Sequence, residues 1–241
     1  MNSQPRGGAS ERELSGPRAA VQRRKVRRIC RRLERHFGVA RAPRSWDPLS
    51  ELVFTILSQN TSDRNSEAAF RSLRARYPTW HAVAEASDQE LASTIRTAGL
   101  ANQKAPRIRQ VVRWTLARFG DRALEPLRDM SAEQAWRLLR ELPGVGPKTA
   151  ACVLLFACGK PVLPVDTHVA RVARRLGLLP PTCTAEKAHA LLGRLVPEEL
   201  VLDFHVHLIA LGRTICRARR PACTECPLRS LCPTGRGQAR A

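Results

Sequence analysis

Two side chains in the 241-residue chain have the types and positions needed for chemistry on a sugar. Lys148 lies in the first turn of a predicted helix, where the helix dipole disfavours a cation and so favours a nucleophilic amine. A neutral amine can attack a sugar C1′ and form a Schiff base. Asp166 precedes another predicted helix, and an ionised carboxylate there can stabilise an oxocarbenium-like sugar or help to deprotonate Lys148.

Each of these residues also has a simpler interpretation. On its position alone, Lys148 is better suited to bind a phosphate group as an exposed lysine. Asp166 is suited to be the N-cap of the following helix, because its carboxylate would accept the first free amides. The N-cap role and the catalytic role use the same ionised carboxylate, so both can hold for Asp166.

The residues before Lys148 predict a tight turn between two helices. They read Leu142-Pro143-Gly144-Val145-Gly146-Pro147, and the two glycines let the backbone bend and approach a ligand closely. Proline suits the first position of the second helix. Exposed amides in such a turn, beside a helix N-terminus, can bind a phosphate group. A plain connection between helices would use the same residues, so the turn alone leaves both interpretations open.

Four cysteines near the end of the chain have the spacing C-x6-C-x2-C-x5-C. They are Cys216, Cys223, Cys226 and Cys232. The segment is too short and polar to bury a core, so four converging thiolates predict an iron-sulfur cluster or a tetrahedral zinc. The first two ligands flank a cationic loop suited either to a DNA backbone or to solvent. Its basic residues are Arg217, Arg219 and Arg220.

The formal net charge of +20 favours a polyanionic partner, with nucleic acid the leading candidate. No run approaches the ~18 apolar residues of a membrane-spanning helix, and the first twenty residues contain no apolar signal core. We therefore expect a soluble protein of the cytosol, and its thiols are expected to be reduced there.

Apolar residues recur every three or four positions through most of the chain, which predicts an all-α fold of about ten helices. The first amphipathic helix is predicted from Val21 to Phe37, and capping boxes begin helices after Ser87 and Ser131. A nearly all-apolar helix over residues 147–157 is predicted to be central and buried. No segment alternates apolar and polar residues in the manner of a strand.

The hairpin, Lys148, the Val165-Asp166-Thr167-His168 segment and the cysteine spacing together resemble the endonuclease III family of helix-hairpin-helix DNA glycosylases. The resemblance runs from about Arg23 to Cys232. It implies two helical domains with a DNA groove between them, and a [4Fe-4S] cluster rather than zinc. We expect a disordered basic tail over residues 1–20, a cluster domain over 21–45 plus 161–241, and a six-helix hairpin domain over 46–160.

The same resemblance implies a bifunctional enzyme of base excision repair. Lys148 would displace an oxidised pyrimidine, with Asp166 as its partner, and the Schiff base would allow β-elimination that nicks the strand. The target nucleotide must leave the stack for this attack, so the gap needs filling. Gln59 and Leu100 match the family's wedging positions. Backbone contacts to double-stranded DNA are expected from Gly144, Val145, Gly146 and Thr149, together with the three loop arginines.

Three departures from the family pattern leave the preferred damaged base open. Ser62 and Asp63 stand where better-known relatives have a single aspartate, Ala101 where some have tyrosine, and Pro147 where arginine is frequent. Two other functions compete with the bifunctional enzyme. One is a monofunctional adenine or thymine mismatch glycosylase, against which Lys148 argues, and the other is a non-catalytic iron-sulfur DNA-binding protein. We expect a monomer, since no heptad or large apolar stripe demands a partner.

Overall fold

The computed structural model describes residues 17–42 and 46–237, and within these ranges it contains helices and their connections but no strand. The predicted all-α class is therefore confirmed. The chain divides into two compact units, which we name the hairpin unit (Ala42–Pro164) and the terminal unit (Met1–Arg41 with Val165–Ala241). None of the helices in the described ranges combines the length and apolar content needed to cross a membrane.

The hairpin unit has seven α-helices in its described part. They are α2 (Pro48–Leu57), α3 (Asp63–Arg76), α4 (Trp80–Glu85), α5 (Asp88–Thr94), α6 (Ala101–Phe119), α7 (Ala132–Glu141) and α8 (Pro147–Cys152). Side-chain N-caps begin five of them, and the capping boxes at Ser87 and Ser131 form as predicted. These caps satisfy amides that have no partner inside the helix.

Helix α2 is buried along its whole length and forms the centre of this unit's core. The helix predicted over 147–157 is buried as expected, but only its first half is α-helical. From Val153 to Ala157 it continues as a π-helix, in which the Cys158 amide donates to the Val153 carbonyl at 3.2 Å. Two side chains of this segment, Val153 and Leu154, are fully buried.

The terminal unit has five α-helices in its described part. They are α1 (Pro17–Phe37), α9 (Thr167–Arg175), α10 (Ala185–Leu195), α11 (Val201–Thr214) and α12 (Pro233–Gly237). Helix α11 packs against both α1 and α9. Helix α1 begins earlier than the predicted Val21, because proline is favoured in the first helical turn. Of the predicted basic tail, residues 17–20 thus belong to α1, and residues 1–16 lie outside the described residues.

Candidate functional site

The hairpin between α7 and α8 is a closed turn with one glycine in the left-handed region. Its Val145 amide donates to the Leu142 carbonyl at 3.0 Å, and the Val145 carbonyl accepts from Arg140 at 2.9 Å. The Val145 side chain is buried in the core, so it anchors the turn from inside. Gly144 has φ +77°, a left-handed conformation that favours glycine. Gly144 is exposed and Gly146 half-buried, so the backbone at both glycines is accessible.

Lys148 is the second residue of α8, as the sequence predicts, and its side chain is half-buried. In the described part of the hairpin unit its ammonium has no hydrogen-bond or ion-pair partner. The N-cap residue Gly146 supplies no side-chain cap, so the amides of the first turn are open to an outside acceptor. The Thr149 side chain is buried, which leaves its backbone as the part suited to face a ligand.

Asp166 is the N-cap of α9, as predicted. Its Oδ1 accepts a hydrogen bond from the Val169 amide at 2.7 Å, and its carbonyl accepts from the Ala170 amide at 2.9 Å. The bond from the Val169 amide fixes the orientation of the carboxylate. Lys148 and Asp166 are thus both placed at helix N-termini, the lysine in the hairpin unit and the aspartate in the terminal unit.

The two predicted wedge residues lie in loops of the hairpin unit. Leu100 is 49 % exposed and has φ 50° and ψ 32°, which is rare for a branched apolar residue. Its exposure favours the wedge interpretation over a place in the core. Gln59 is half-buried just beyond α2, and its side-chain carbonyl accepts from Arg107 Nη1 at 3.2 Å.

Two basic residues of α6, Lys104 and Arg107, contact these loops, and neither is among the predicted site residues. Lys104 is buried and donates to three backbone carbonyls, including that of Gln59. The Arg107 guanidinium lies against Gly144, where an added Cβ would come within 2.4 Å of its Nε. One signal was available: Lys104 stands four residues before the buried Ile108, on the apolar stripe of an amphipathic helix.

The four terminal cysteines are brought together around one cavity of the terminal unit. Among the described residues, no three His, Cys, Asp or Glu side chains are grouped as they would be around a single metal ion. Four thiols spread around a shared cavity fit a cubane, in which each iron takes one thiolate. The donor set therefore fits the iron-sulfur cluster that the resemblance to the endonuclease III family implies.

Burial, with a smaller effect of the neighbouring cysteines, raises the pKa of two of these thiols. Burial raises the pKa of Cys223, and the neighbouring Cys216 and Cys232 raise it further. Burial is also the largest cause of the raised pKa of Cys226, again with the neighbouring thiols adding to it. Iron binds the thiolate form, so cluster assembly displaces the protons that the free thiols retain.

Arg175, the last residue of α9, connects this helix to the cysteine loop. Its Nη1 donates to the Cys216 sulfur at 3.3 Å and to the Arg217 carbonyl at 2.7 Å, and its Nη2 donates to the Ala218 carbonyl at 2.9 Å. Its own carbonyl accepts from Thr234 Oγ1 at 3.2 Å. The sequence showed no signal for this role, since the partners lie more than forty residues away.

The predicted DNA-binding arginines of the loop are accessible. Arg217, Arg219 and Arg220 are all exposed. Arg217 Nε donates to the Thr214 carbonyl at 3.0 Å, while Arg220 has a left-handed backbone with φ 49°. The loop therefore presents three guanidinium groups on a backbone that Arg175 holds in place.

Comparisons with known proteins agree with this arrangement. A family profile described as HhH-GPD superfamily base excision DNA repair protein matches residues 53–198. A second, described as the iron-sulfur binding domain of endonuclease III, matches residues 216–232. Endonuclease III of Thermotoga maritima is 37 % identical over 209 residues, covering 84 % of this chain and 93 % of that protein. A thymine-DNA glycosylase of Aeropyrum pernix is 34 % identical, covering 77 % and 82 %.

The fold agrees with solved structures as well. A trapped covalent intermediate of endonuclease III with DNA has a TM-score of 0.78 and 28 % identity, over 90 % of this chain and 99 % of that one. The hairpin and Lys148 lie within residues 53–198, and the four terminal cysteines lie within residues 216–232. The chain belongs to the endonuclease III family of base-excision DNA repair glycosylases and AP lyases, which carry a [4Fe-4S] cluster.

Proposed function

We propose that this chain removes oxidised pyrimidines from duplex DNA with Lys148 as nucleophile and then nicks the strand. The observation that carries the proposal is a lysine in the first turn after the hairpin, without a partner in the described part of its own unit. A lysine at this place is close to amides suited to hold the neighbouring phosphate. Lys148 is therefore free to attack the sugar, since it does not stabilise the described part of its own unit through a hydrogen bond or ion pair.

The proposed reaction begins when the neutral Lys148 Nζ attacks C1′ of the flipped nucleotide. The C1′–N bond breaks and the base leaves with its bonding electrons and takes up a proton. Loss of the second amine proton opens the C1′–O4′ bond, so O4′ becomes a hydroxyl and C1′ a Schiff base. Removal of a C2′ proton then expels the 3′ phosphate by β-elimination, and water releases Lys148 from the sugar fragment.

The carboxylate of Asp166 supports two of these steps. It stabilises the positive charge that develops on the sugar, and it accepts the proton that Lys148 must lose before it attacks. The hydrogen bond from the Val169 amide fixes the carboxylate's orientation. The [4Fe-4S] cluster, bound by the four terminal cysteines, would hold the Arg217–Arg220 loop against the DNA backbone.

Incision assays separate this function from its two rivals. The holoenzyme is incubated with labelled duplexes that carry thymine glycol or a G·T mismatch, with and without alkali. We expect incision at thymine glycol without alkali, and none from the Lys148→Ala variant. Excision at the mismatch that needs alkali would instead favour a monofunctional mismatch glycosylase, the function that the similarity to the Aeropyrum pernix protein suggests. Binding without excision would leave a docking protein.

We further infer that the protein acts as a monomer on DNA of the bacterial nucleoid. In the described ranges, the large apolar side chains that are exposed are single residues from separate elements, Val21, Val39 and Leu100. Scattered residues of this kind do not form the apolar patch that a subunit interface needs. Light scattering of the purified holoenzyme would give the mass of one chain, and a dimer would contradict the inference.

A further inference from the structure

One buried charge in the hairpin unit is the ammonium of Lys104. The residue is 3 % exposed, and its Nζ donates to the carbonyls of Leu57 at 2.7 Å, Gln59 at 2.7 Å and Ala98 at 2.8 Å. A lysine ammonium has three donors, so all three are used. Burial lowers the pKa of this group. Lysine is rarely buried unless its charge is compensated, which indicates a specific role for these bonds.

The three carbonyls belong to the two loops that carry the wedge residues. Leu57 is the last residue of α2 and Gln59 follows just beyond it, while Ala98 lies two residues before Leu100. Each loop contains a residue other than glycine in the left-handed region, Asn60 with φ 54° and Leu100 with φ 50°. Such conformations persist only where surrounding contacts enforce them. A single ammonium therefore holds two strained loops together.

Arg107, one turn further along α6, contacts one of these two loops through the side chain of Gln59. Its guanidinium donates to the side-chain carbonyl of Gln59 and lies against Gly144 of the hairpin. The face of α6 that bears Lys104 and Arg107 thus contacts both the Gln59 loop and the hairpin. Among the described residues, the hydrogen-bond partners of the Lys104 ammonium are these three backbone carbonyls.

We propose that Lys104 is a positioning residue, which ties the Gln59 and Leu100 loops into one preformed wedge that fills the gap left by the flipped nucleotide. Two side chains fixed before binding lose less conformational entropy when they enter the base stack. Without the tether each loop would have to be ordered at the moment of flipping. The inference rests on the proposed function, because it assumes that the wedge residues enter DNA.

The test compares two lysines of the same unit that each bind backbone carbonyls. Lys104→Met is slightly shorter than lysine but retains an unbranched apolar side chain, and it removes the three bonds. Lys160→Met is the matched control, since Lys160 donates to the carbonyls of Arg128 at 3.0 Å and Met130 at 2.5 Å, away from the wedge loops. Single-turnover excision is measured on thymine glycol in a fully paired duplex and in an unpaired bulge, where the base is already displaced.

We expect K104M to lose about tenfold or more in rate on the paired duplex and less than about threefold in the bulge. K160M should keep the wild-type ratio of the paired-duplex rate to the bulge rate, even if its unfolding temperature falls as far as that of K104M. Equal losses on both substrates, or none, would overturn the tether and leave the proposed function standing. A wild-type protein inactive on both substrates would instead overturn the proposed function, and the tether with it.

A second variant covers the case in which K104M folds poorly. Lys104→Gln is shorter and neutral but retains donors, and it is judged by the same ratio of rates. Hydrogen exchange at the Asn60 and Leu100 amides supplies an independent reading. Faster exchange at both loops in K104Q, with unchanged exchange in α2, supports the tether. Unchanged exchange at both loops, with a wild-type rate ratio, overturns it.

Discussion

The Asp166 carboxylate has a structural role and a proposed catalytic role, which two different substitutions can distinguish. As N-cap of α9 it accepts a hydrogen bond from the Val169 amide. As the proposed partner of Lys148 it would stabilise a cationic transition state. The first role needs a hydrogen-bond acceptor, while the second needs a negative charge. Asparagine satisfies only the first requirement, and alanine satisfies neither.

Asp166→Asn is therefore expected to fold like the wild type and to lose about 10²–10³-fold in excision rate. Asp166→Ala should lose activity to a similar degree and about 1 kcal/mol of unfolding free energy as well. Urea unfolding and single-turnover excision on thymine glycol measure the two effects. A substantially active D166N would contradict the catalytic role and leave Asp166 as a cap alone.

Cys30 makes the stability of the terminal unit depend on pH. The thiol is 3 % exposed, and its burial, followed by the charge of Asp203, raises its pKa from 9.0 to about 12. The folded state thus holds this proton more tightly than the unfolded state. The resulting stability is fully present below about pH 9 and is lost as pH rises toward 12, at up to about 1.4 kcal/mol per pH unit.

The comparison with Cys30→Ala isolates this effect from other titrating groups. We expect the difference in unfolding free energy between wild type and C30A to shrink steadily from about pH 9 to 11. Urea unfolding across that range gives the difference at each pH. A difference that stays constant would show that the thiol titrates alike in both states.

Residues whose roles depend on local sequence could be predicted, while those that act through tertiary contacts could not. Asp166 is identified by the helix that follows it, and the four cysteines by their spacing. Lys104 bonds to a carbonyl 47 residues away, and Arg175 to one 43 residues away. No local pattern encodes such pairs, so their roles emerge only once the helices are packed.

At the scale of elements, the hairpin contains two glycines that differ in backbone conformation. Gly144 has φ +77°, and a Cβ there would lie 2.4 Å from Arg107 Nε. Gly146 has φ −79° and nothing within 4 Å of a Cβ position. The first position therefore requires glycine for its backbone and its neighbour, whereas the second tolerates a side chain in the folded protein.

Gly144→Ala is expected to lower the unfolding free energy by about 1–2 kcal/mol, because alanine is strained in the left-handed region. It should also weaken binding to undamaged duplex, since Arg107 must move. Gly146→Ala is the matched control for stability and should unfold at or slightly above the wild-type temperature. Thermal unfolding of both variants measures these effects. Equal decreases in unfolding temperature would contradict the difference assigned to Gly144 and Gly146.

The limits of helix α8 show what the sequence pattern cannot resolve. Residues 147–157 are apolar on nearly every side, so they predict burial without distinguishing a period of 3.6 residues from the wider π-helical turn. The structure changes from α to π at Val153, where the Cys158 amide reaches back five residues. Burial was predictable there because it depends on composition, but the hydrogen-bond pattern depends on packing.

For the whole molecule, the charge of +20 predicts binding to DNA that is strong and sensitive to salt. Each phosphate contact contributes about −0.9 to the slope of log affinity against log salt. Replacing the three loop arginines by alanine should therefore make the slope for undamaged duplex less steep by about 2.7. These residues are Arg217, Arg219 and Arg220.

A matched triple variant controls for the simple loss of charge. It replaces three exposed arginines that already pair with carboxylates, namely Arg27, Arg122 and Arg137. Fluorescence anisotropy over a salt series gives both slopes. Equal changes in the two triple variants would show that the cysteine loop makes no specific phosphate contacts.

Reductive trapping tests the central claim most directly. The holoenzyme is mixed with duplexes that carry thymine glycol or an abasic site, borohydride is added, and the cross-linked residue is identified by mass spectrometry, with Lys148→Ala in parallel. A covalent complex on both substrates that maps to Lys148 and disappears in the variant is the predicted result. No complex with the wild type, or an undiminished complex in K148A, would contradict the assignment of Lys148 as the nucleophile.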